Sequence, residues 1–261
     1  LFSSSFTLVK QENTHKILLG VLNLLEIKFD DSKILSDRKP YQAINPSKAF
    51  FLCNTISTLL CPSCHYAFTS SEPCYSLSLG ITEEMSLTSV LSFYTRIEEI
   101  SYESCGGCGK VVSKKRILLE KGAPFFILQL NKFSSLGCVT FPLSLDMPPY
   151  CSSSKDMDYE LYGFVVHAGE YASSGHYYIY IFESSTWYKL NNEDFDPVDV
   201  QEVLKQEAYI LFYRRHVIDM NAMPSYSDSS FEMNNEEERL IPLGMIYYYL
   251  INFLLLLLTL S

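Results

Sequence analysis

"SSGHYYIYIFESSTWYKLNNEDF", residues 173–195, decides the reading of this chain. Aromatic and β-branched residues alternate on both sides of Ser184-Ser185, the pattern of two antiparallel strands joined by a tight turn. Partners fall symmetrically about a turn centred between those serines, so Asn191 faces Tyr178. His176 lies two residues along the same face, diagonal to Asn191 and within side-chain reach. Asn192 faces Tyr177 and points to the other side of the sheet, and a slip of one residue would exchange the two amides. An imidazole held by an amide has its tautomer fixed and leaves its other nitrogen for a thiol proton. The hairpin therefore reads as half of a cysteine-protease site, with His176 as base and Asn191 as the orienting group. The competing reading is a histidine merely satisfied within an aromatic sheet. Gly175 is expected to clear bulk beside the ring. His167 is a rival base without an evident orienting partner, and His15 and His216 read as surface or packing residues.

Outward from the hairpin the chain keeps its β character. "YELYGFVVHAGEY" and "EAYILFYRR" are strand-like, and "RILLEKGAPFFILQLNKF" gives two strands split by Gly122-Ala123-Pro124. "VTFPLSLDM" predicts one further strand, and residues 86–101 a short helix. Residues 11–30 place Ile17, Leu18, Val21, Leu22, Leu24 and Leu25 at helical spacing, so a core-facing helix is expected there. The polar stretch that follows, through "INPSK", reads as a loop. The class is α+β with a mainly antiparallel sheet ending near Arg215.

Two CxxC pairs stand about forty residues apart: Cys61-Pro-Ser-Cys64 and Cys105-Gly-Gly-Cys108. Each can form a tight turn that aims two thiolates at one ion. Four thiolates make a closed tetrahedral set that prefers Zn2+ and leaves no open position, so the site is structural and should clamp two hairpin tips. His65 is left outside this complete set. Cys53, Cys74, Cys138 and Cys151 show no ligand spacing and read as small packing residues.

Among 261 residues, 48% are hydrophobic, with 19 Tyr and 17 Phe, as a packed β-rich chain requires. A net charge of −10 argues against nucleic acid as a main partner, because phosphate binding needs a basic face. Residues 216–239 read as an acidic, disordered linker. Residues 240–261 are uncharged and long enough to cross a bilayer, either a membrane anchor or the end of a faulty gene model. No secretory signal opens the chain, so a reducing cytoplasm or nucleus is expected, with membrane association through the tail if it is genuine. The first residue is Leu rather than Met, which reads as a fragment.

The histidine hairpin, the strand "EAYILFYRR", "GAPFFILQLNKF", "FPLSLDM" and the paired CxxC motifs together resemble, in kind and order, the ubiquitin-specific protease family of deubiquitinases. "QENTHKILLGVLNLLE" is similar to that family's Gln-Glu-Asp-Ala-His-Glu-Phe helix. The resemblance covers residues 11–215. It implies a papain-like fold with zinc-bearing fingers (about 50–120), a palm (about 121–215) and an incomplete thumb. It further implies ubiquitin and ubiquitinated proteins as partners. The reaction implied is cleavage after ubiquitin's Gly-Gly by a cysteine thiolate, with His176 as base then acid and Asn191 orienting it. The family's Asn-x-Gly-Asn-Thr-Cys-Phe/Tyr box has no counterpart before Gln11, and Cys53 in "FFLCNTISTLL" has its Asn-Thr on the wrong side. The chain as written is therefore expected to lack its nucleophile and to be inactive alone. The alternatives are a ubiquitin-binding pseudoenzyme and a zinc-ribbon interaction module.

Overall fold

A computed structural model describes residues 15–27 (17, 24 and 25 excepted), 45–132, 138–153, 157–171, 174–192 and 194–216. Within it, residue alternation along the strands generates two cores on opposite faces of one large sheet. Along β11 (Ser174–Glu183), Tyr177, Ile179 and Ile181 feed one core while Tyr178 and Tyr180 feed the other. Strand β14 (Ala208–Arg215) does the same, with Ile210 and Phe212 against Leu211 and Tyr213. Burial on both faces is why these segments read as nearly continuous apolar runs.

The large sheet runs β13 (Asp194–Val198), β12 (Thr186–Asn191), β11, β10 (Asp158–Tyr171), β14, β7 (Phe125–Lys132) and β3 (Leu77–Ile81). A short strand, β9 (Ser144–Asp146), pairs beside β10. All neighbours are antiparallel except β3 and β7. A second sheet runs β2 (Ala67–Cys74), β1 (Cys53–Leu60), β6 (Val111–Lys121) and β5 (Glu98–Ser104). It is joined to the first through Gly122-Ala123-Pro124, between β6 and β7. A side chain at Gly122 would crowd Met157 Sδ at 3.1 Å and Arg215 Nη2 at 3.3 Å. Arg215 donates to the Gly122 carbonyl at 2.9 Å and Tyr159 to the Ala123 carbonyl at 2.7 Å, which pins the crossing to the end of β14.

The expected N-terminal helix is present: residues 15–16, 18–23 and 26–27 are helical, and Leu18 and Leu22 enter the second core. Ile17, Leu24 and Leu25 lie outside the described residues. The loop reading of "INPSK" is corrected, because Pro46–Phe51 is a helix, α1. Asn45 caps it by accepting from the Ser47 amide at 3.1 Å, and Pro46 occupies the first turn, where its missing N–H costs nothing. Asn45 also donates to the Glu26 carbonyl at 3.2 Å, and Lys48 pairs with Glu26 at 2.8 Å, tying α1 to the first helix.

"VTFPLSLDM" forms two short strands rather than one. Strand β8 (Val139–Thr140) pairs parallel with β4 (Met85–Ser86), and β9 pairs with β10. Pro142 between them cannot donate to a ladder, and its carbonyl instead accepts from Tyr213 at 2.7 Å. The 86–101 helix is shorter than drawn: α2 is Leu87–Tyr94, and Glu98 already belongs to β5. A last helix, α3 (Val200–Val203), is capped by Asp199. Residues 217–239 and 240–261 lie outside the described residues. Among the described residues no helix is long and apolar enough to cross a membrane.

The β11–β12 turn is the one anticipated. Ile179 pairs with Leu190 and Glu183 with Thr186, leaving Ser184 (φ 47°) and Ser185 (φ 66°) in left-handed conformations. Serine tolerates these angles poorly, whereas Asn-Gly favours them. Replacing Ser184-Ser185 with Asn-Gly should raise stability by about 0.5–1 kcal/mol in urea unfolding, with no change in register.

Candidate active site and metal centre

The hairpin register delivers the two proposed polar groups to one place. His176 stands exposed on β11, and its Nε2 hydrogen-bonds Asn191 Oδ1 at the end of β12. An amide oxygen only accepts, so Nε2 is the donor of this bond, and in a neutral imidazole that leaves the lone pair on Nδ1. Asn192 takes a left-handed conformation (φ 56°) in the turn toward β13, and Asn191 pairs with Asp194 across that turn.

Behind the imidazole runs a ladder that the sequence showed only as alternation. The His176 and Tyr178 rings stack at 6.2 Å, and Tyr178 meets Tyr180 edge-on at 5.9 Å. Lys189 Nζ lies over both phenols, 4.8 Å from the Tyr178 ring and 5.8 Å from that of Tyr180. Tyr180 donates to Glu202 Oε1 at 2.9 Å and Tyr178 to Gln206 Oε1 at 3.3 Å. Burial, assisted by the Glu202 carboxylate, pushes both phenols upward in pKa and keeps them neutral donors. Helix α3 and the residue pair Glu202 and Gln206 thus fix the strand that carries His176, a support no short motif announced.

His167 belongs to the opposite face. It stacks on Tyr177 at 4.4 Å and tilts against Tyr209 at 6.2 Å. The space left at Gly175 faces this residue: a side chain there would strike His167 Nε2 and stand 2.8 Å from the Ala168 carbonyl. The glycine therefore accommodates His167 rather than clearing room beside His176. His15 is half-buried and meets Ser76 Oγ at 3.0 Å, and burial lowers its pKa. His216 directly follows β14, with its amide donating to the Asp158 carbonyl at 2.9 Å. Cys53 is fully buried at the root of β1, on the other sheet from His176, with its thiol on the Cys74 carbonyl at 2.9 Å.

The four expected ligands converge. Cys61 and Cys64 lie in the β1–β2 turn, Cys105 and Cys108 in the β5–β6 turn, and pairing of β1 with β6 sets these tips side by side. Their sulfurs all lie within 4.8 Å of one another. Cys61 and Cys108 are separated by 3.7 Å, and Cys64 and Cys105 by 3.6 Å. Zinc–sulfur bonds of about 2.3 Å in a tetrahedron give sulfur–sulfur edges of about 3.8 Å, so the donors fit such an ion. The Cys64 amide, then that of Ser63, donate to the Cys61 sulfur and hold that thiol down at about 6. Cys64 moves to about 12: the Tyr66 amide favours its thiolate, but burial and the neighbouring sulfurs outweigh it. Four crowded thiols do not all ionise unaided, and a divalent cation removes that penalty.

The two knuckles are copies of one another. The Cys61 amide bonds the Tyr66 carbonyl at 3.0 Å and His65 the Cys61 carbonyl at 2.9 Å; Cys105 bonds Lys110 at 2.6 Å and Gly109 bonds Cys105 at 2.8 Å in the same offsets. His65 (φ 58°) thus holds the left-handed position that Gly109 (φ 71°) holds in the second copy. The Tyr66 ring then covers the second knuckle, 3.2 Å from where a side chain at Gly107 would begin.

A papain-like ubiquitin-specific protease architecture is what this palm sheet, histidine hairpin and cysteine-tipped finger sheet define. The family model "ubiquitin carboxyl-terminal hydrolase" matches residues 1–213, and the chain belongs to that family. It is 31% identical over 229 residues to ubiquitin carboxyl-terminal hydrolase 21 of Arabidopsis thaliana, covering 82% of this chain and 31% of that one. It is 29% identical over 223 residues to ubiquitin carboxyl-terminal hydrolase 17-like protein 13 of Homo sapiens, covering 78% and 41%. The chain thus spans well under half the length of these curated relatives. Among solved structures it is similar to the SAGA DUB module of Ubp8, Sgf11, Sus1 and Sgf73 bound to monoubiquitin. That match has a TM-score of 0.70 and 27% identity over 80% of this chain and 50% of that one. The same module bound to ubiquitin aldehyde gives a TM-score of 0.69 and 25% identity, with the same coverage.

If His65 serves the backbone and not the metal, His65→Gly should retain the full metal content. It should also gain about 0.5 kcal/mol, relief of left-handed strain outweighing glycine entropy. Metal analysis beside urea unfolding checks both, and a loss of metal would make His65 a ligand.

Proposed function

We propose that this chain is the fingers and palm of a deubiquitinase that cleaves isopeptide or peptide bonds after ubiquitin's C-terminal Gly-Gly. The observation that carries this is the His176 Nε2 to Asn191 Oδ1 hydrogen bond at the exposed end of the β11–β12 hairpin. With Nε2–H committed to the amide, Nδ1 is free to take a thiol proton and return it to the leaving amine. Asn191 holds the ring without adding negative charge, so it acts on the imidazolium formed during reaction through orientation alone. No attacking thiolate is assigned: Cys61, Cys64, Cys105 and Cys108 converge at the fingertips, and Cys53 is buried against Cys74. As given, these residues are expected to bind ubiquitin without hydrolysing it.

A second reading keeps the same fingers and palm as a ubiquitin-binding surface without catalysis, a pseudoenzyme. A ubiquitin bearing a C-terminal electrophile separates the cases. Binding without covalent labelling is expected for the chain as given, and labelling at Cys53 would overturn the site assignment. Adding the family's cysteine segment ahead of Gln11 should yield hydrolysis of a fluorogenic ubiquitin substrate. In that protein His176→Ala should lower kcat/KM by about 10²–10⁴-fold, while unchanged kcat/KM would remove His176 from the reaction. Failure of the extended protein to hydrolyse at all supports the pseudoenzyme.

The finger ion, in this proposal, is structural zinc held by Cys61, Cys64, Cys105 and Cys108. The expected metal analysis is one zinc per chain, lost in Cys105→Ser together with protection of the β1–β2 and β5–β6 tips in hydrogen exchange. Unchanged zinc in that variant would refute the assignment.

A further inference from the structure

Three features outside the site carry chemistry: an open cavity beside α2, an exposed aromatic pair on β13, and a second meeting of cysteines. The cavity, of about 220 Å³ and lined by Val90, Phe93, Arg96 and Lys115, contains nothing that selects an occupant. Tyr188 stacks on exposed Phe195 at 4.5 Å, which is explained by mutual cover. The cysteines are different, because two thiols meet at a mechanical junction.

Cys53 is the first residue of β1 and Cys74 the last of β2, and they are direct partners in the antiparallel register. Opposed residues in such a ladder have Cα atoms about 4.5–5.5 Å apart, inside the range a disulfide spans. Their sulfurs stand 2.7 Å apart, with the Cys53 thiol also 2.9 Å from the Cys74 carbonyl. Neither belongs to the fingertip cluster. We propose that Cys53 and Cys74 are a reversible oxidation site, a cross-strand disulfide at the root of the fingers that forms with hydroperoxides and opens with thiols.

The two positions are chemically unequal. Cys74 is half-buried, and hydrogen bonding from Cys53 favours its thiolate; Cys53 is fully buried, and its contact with Cys74 together with burial holds it protonated. Cys74 thiolate attacks the hydroperoxide, taking one oxygen to become a sulfenic acid and releasing an alcohol, or water from hydrogen peroxide. Cys53 then attacks the sulfenic sulfur, its proton leaving with the hydroxyl as water. Two thiols and one hydroperoxide thus give one disulfide, one alcohol and one water.

Position gives the bond its consequence. Cys53 follows α1 after one residue, Leu52, and Cys74 precedes β3 by two, so both chain crossings at the root of this hairpin pass through these residues. Cys53 lies in the core with Leu77, Leu119 and Tyr159, and Cys74 packs against that core. A covalent link there ties the finger hairpin at its base and suppresses splaying of β1 from β2.

The test oxidises the zinc-loaded full chain with hydrogen peroxide, then removes zinc, denatures and alkylates. Two fewer thiols than the eight in the sequence should be counted. Mass spectrometry should recover a Cys53–Cys74 linked peptide that disappears on reduction. Amide exchange along β2 should slow about tenfold or more in the oxidised chain and return on reduction. Cys74→Ser should keep all its remaining thiols and show no slowing. Recovery of Cys53 and Cys74 as free thiols while other cysteines are oxidised would overturn the proposal. So would a link joining either to Cys138 or Cys151. The readout requires no ubiquitin, so it stands or falls apart from the proposed activity.

Discussion

The proposed catalytic pair hangs on the register of one hairpin. The Ser184-Ser185 turn fixes which residue of β12 faces which residue of β11, and side chains in a strand repeat every two residues. A slip of one place would carry Asn191 to the face where the first helix and α1 pack, and leave the imidazole beside nothing that orients it. The register is enforced from both sides, because Ile179 and Leu190 are locked in one core and Tyr180 and Trp187 in the other. Burial of these large side chains, each contributing on the order of 1.5–3 kcal/mol, makes the alternative pairing costly. The strained turn survives because the cores on each side of it demand it.

The same two-sided burial links the palm to the fingers. Strand β14 runs between β10 and β7, with Glu160 facing Arg214 across the ladder at 2.7 Å. Its last residue, Arg215, grips the Gly122 carbonyl where the chain leaves the finger sheet. The fingers have a sparse apolar core of their own at the tip, where Cys61 and Cys105 are buried with Leu59 and Ile100 packed against them. Their order therefore depends on the palm at one end and on the four-sulfur cluster at the other. Small units with so little apolar area need such a staple.

Both parts of the proposed site use rigid strands and their turns to hold polar groups at short range. In the palm, the Tyr178–Tyr180 ladder and its Glu202 and Gln206 acceptors stiffen the strand under His176. At the fingertips, paired knuckles with identical amide-to-carbonyl offsets place four sulfurs within 4.8 Å of one another. Neither arrangement demands an unusual residue at most positions. Each demands left-handed residues in its turns, two at Ser184-Ser185 and one in each knuckle, and where the chain supplies His65 in place of glycine the backbone carries a modest strain.

What the sequence determined by itself were the features set by short-range rules. Alternation about Ser184-Ser185 specified the hairpin and chose Asn191, because a two-residue turn leaves the pairing no freedom. CxxC spacing marked the four sulfurs, since two residues between cysteines suit one tight turn. Other features depended on contacts between distant segments and had no local signal. The helix at Pro46–Phe51 hides behind prolines and becomes visible only once Asn45 caps it and Glu26 meets Lys48. Gly175 looked like clearance for His176, but its vacancy belongs to His167, eight residues back in sequence on the neighbouring strand. The support of Tyr178 and Tyr180 by α3, and the meeting of Cys53 with Cys74, are likewise tertiary. They arise because sheet pairing brings residues about twenty or more positions apart into contact, and no periodicity in a single strand encodes its partner.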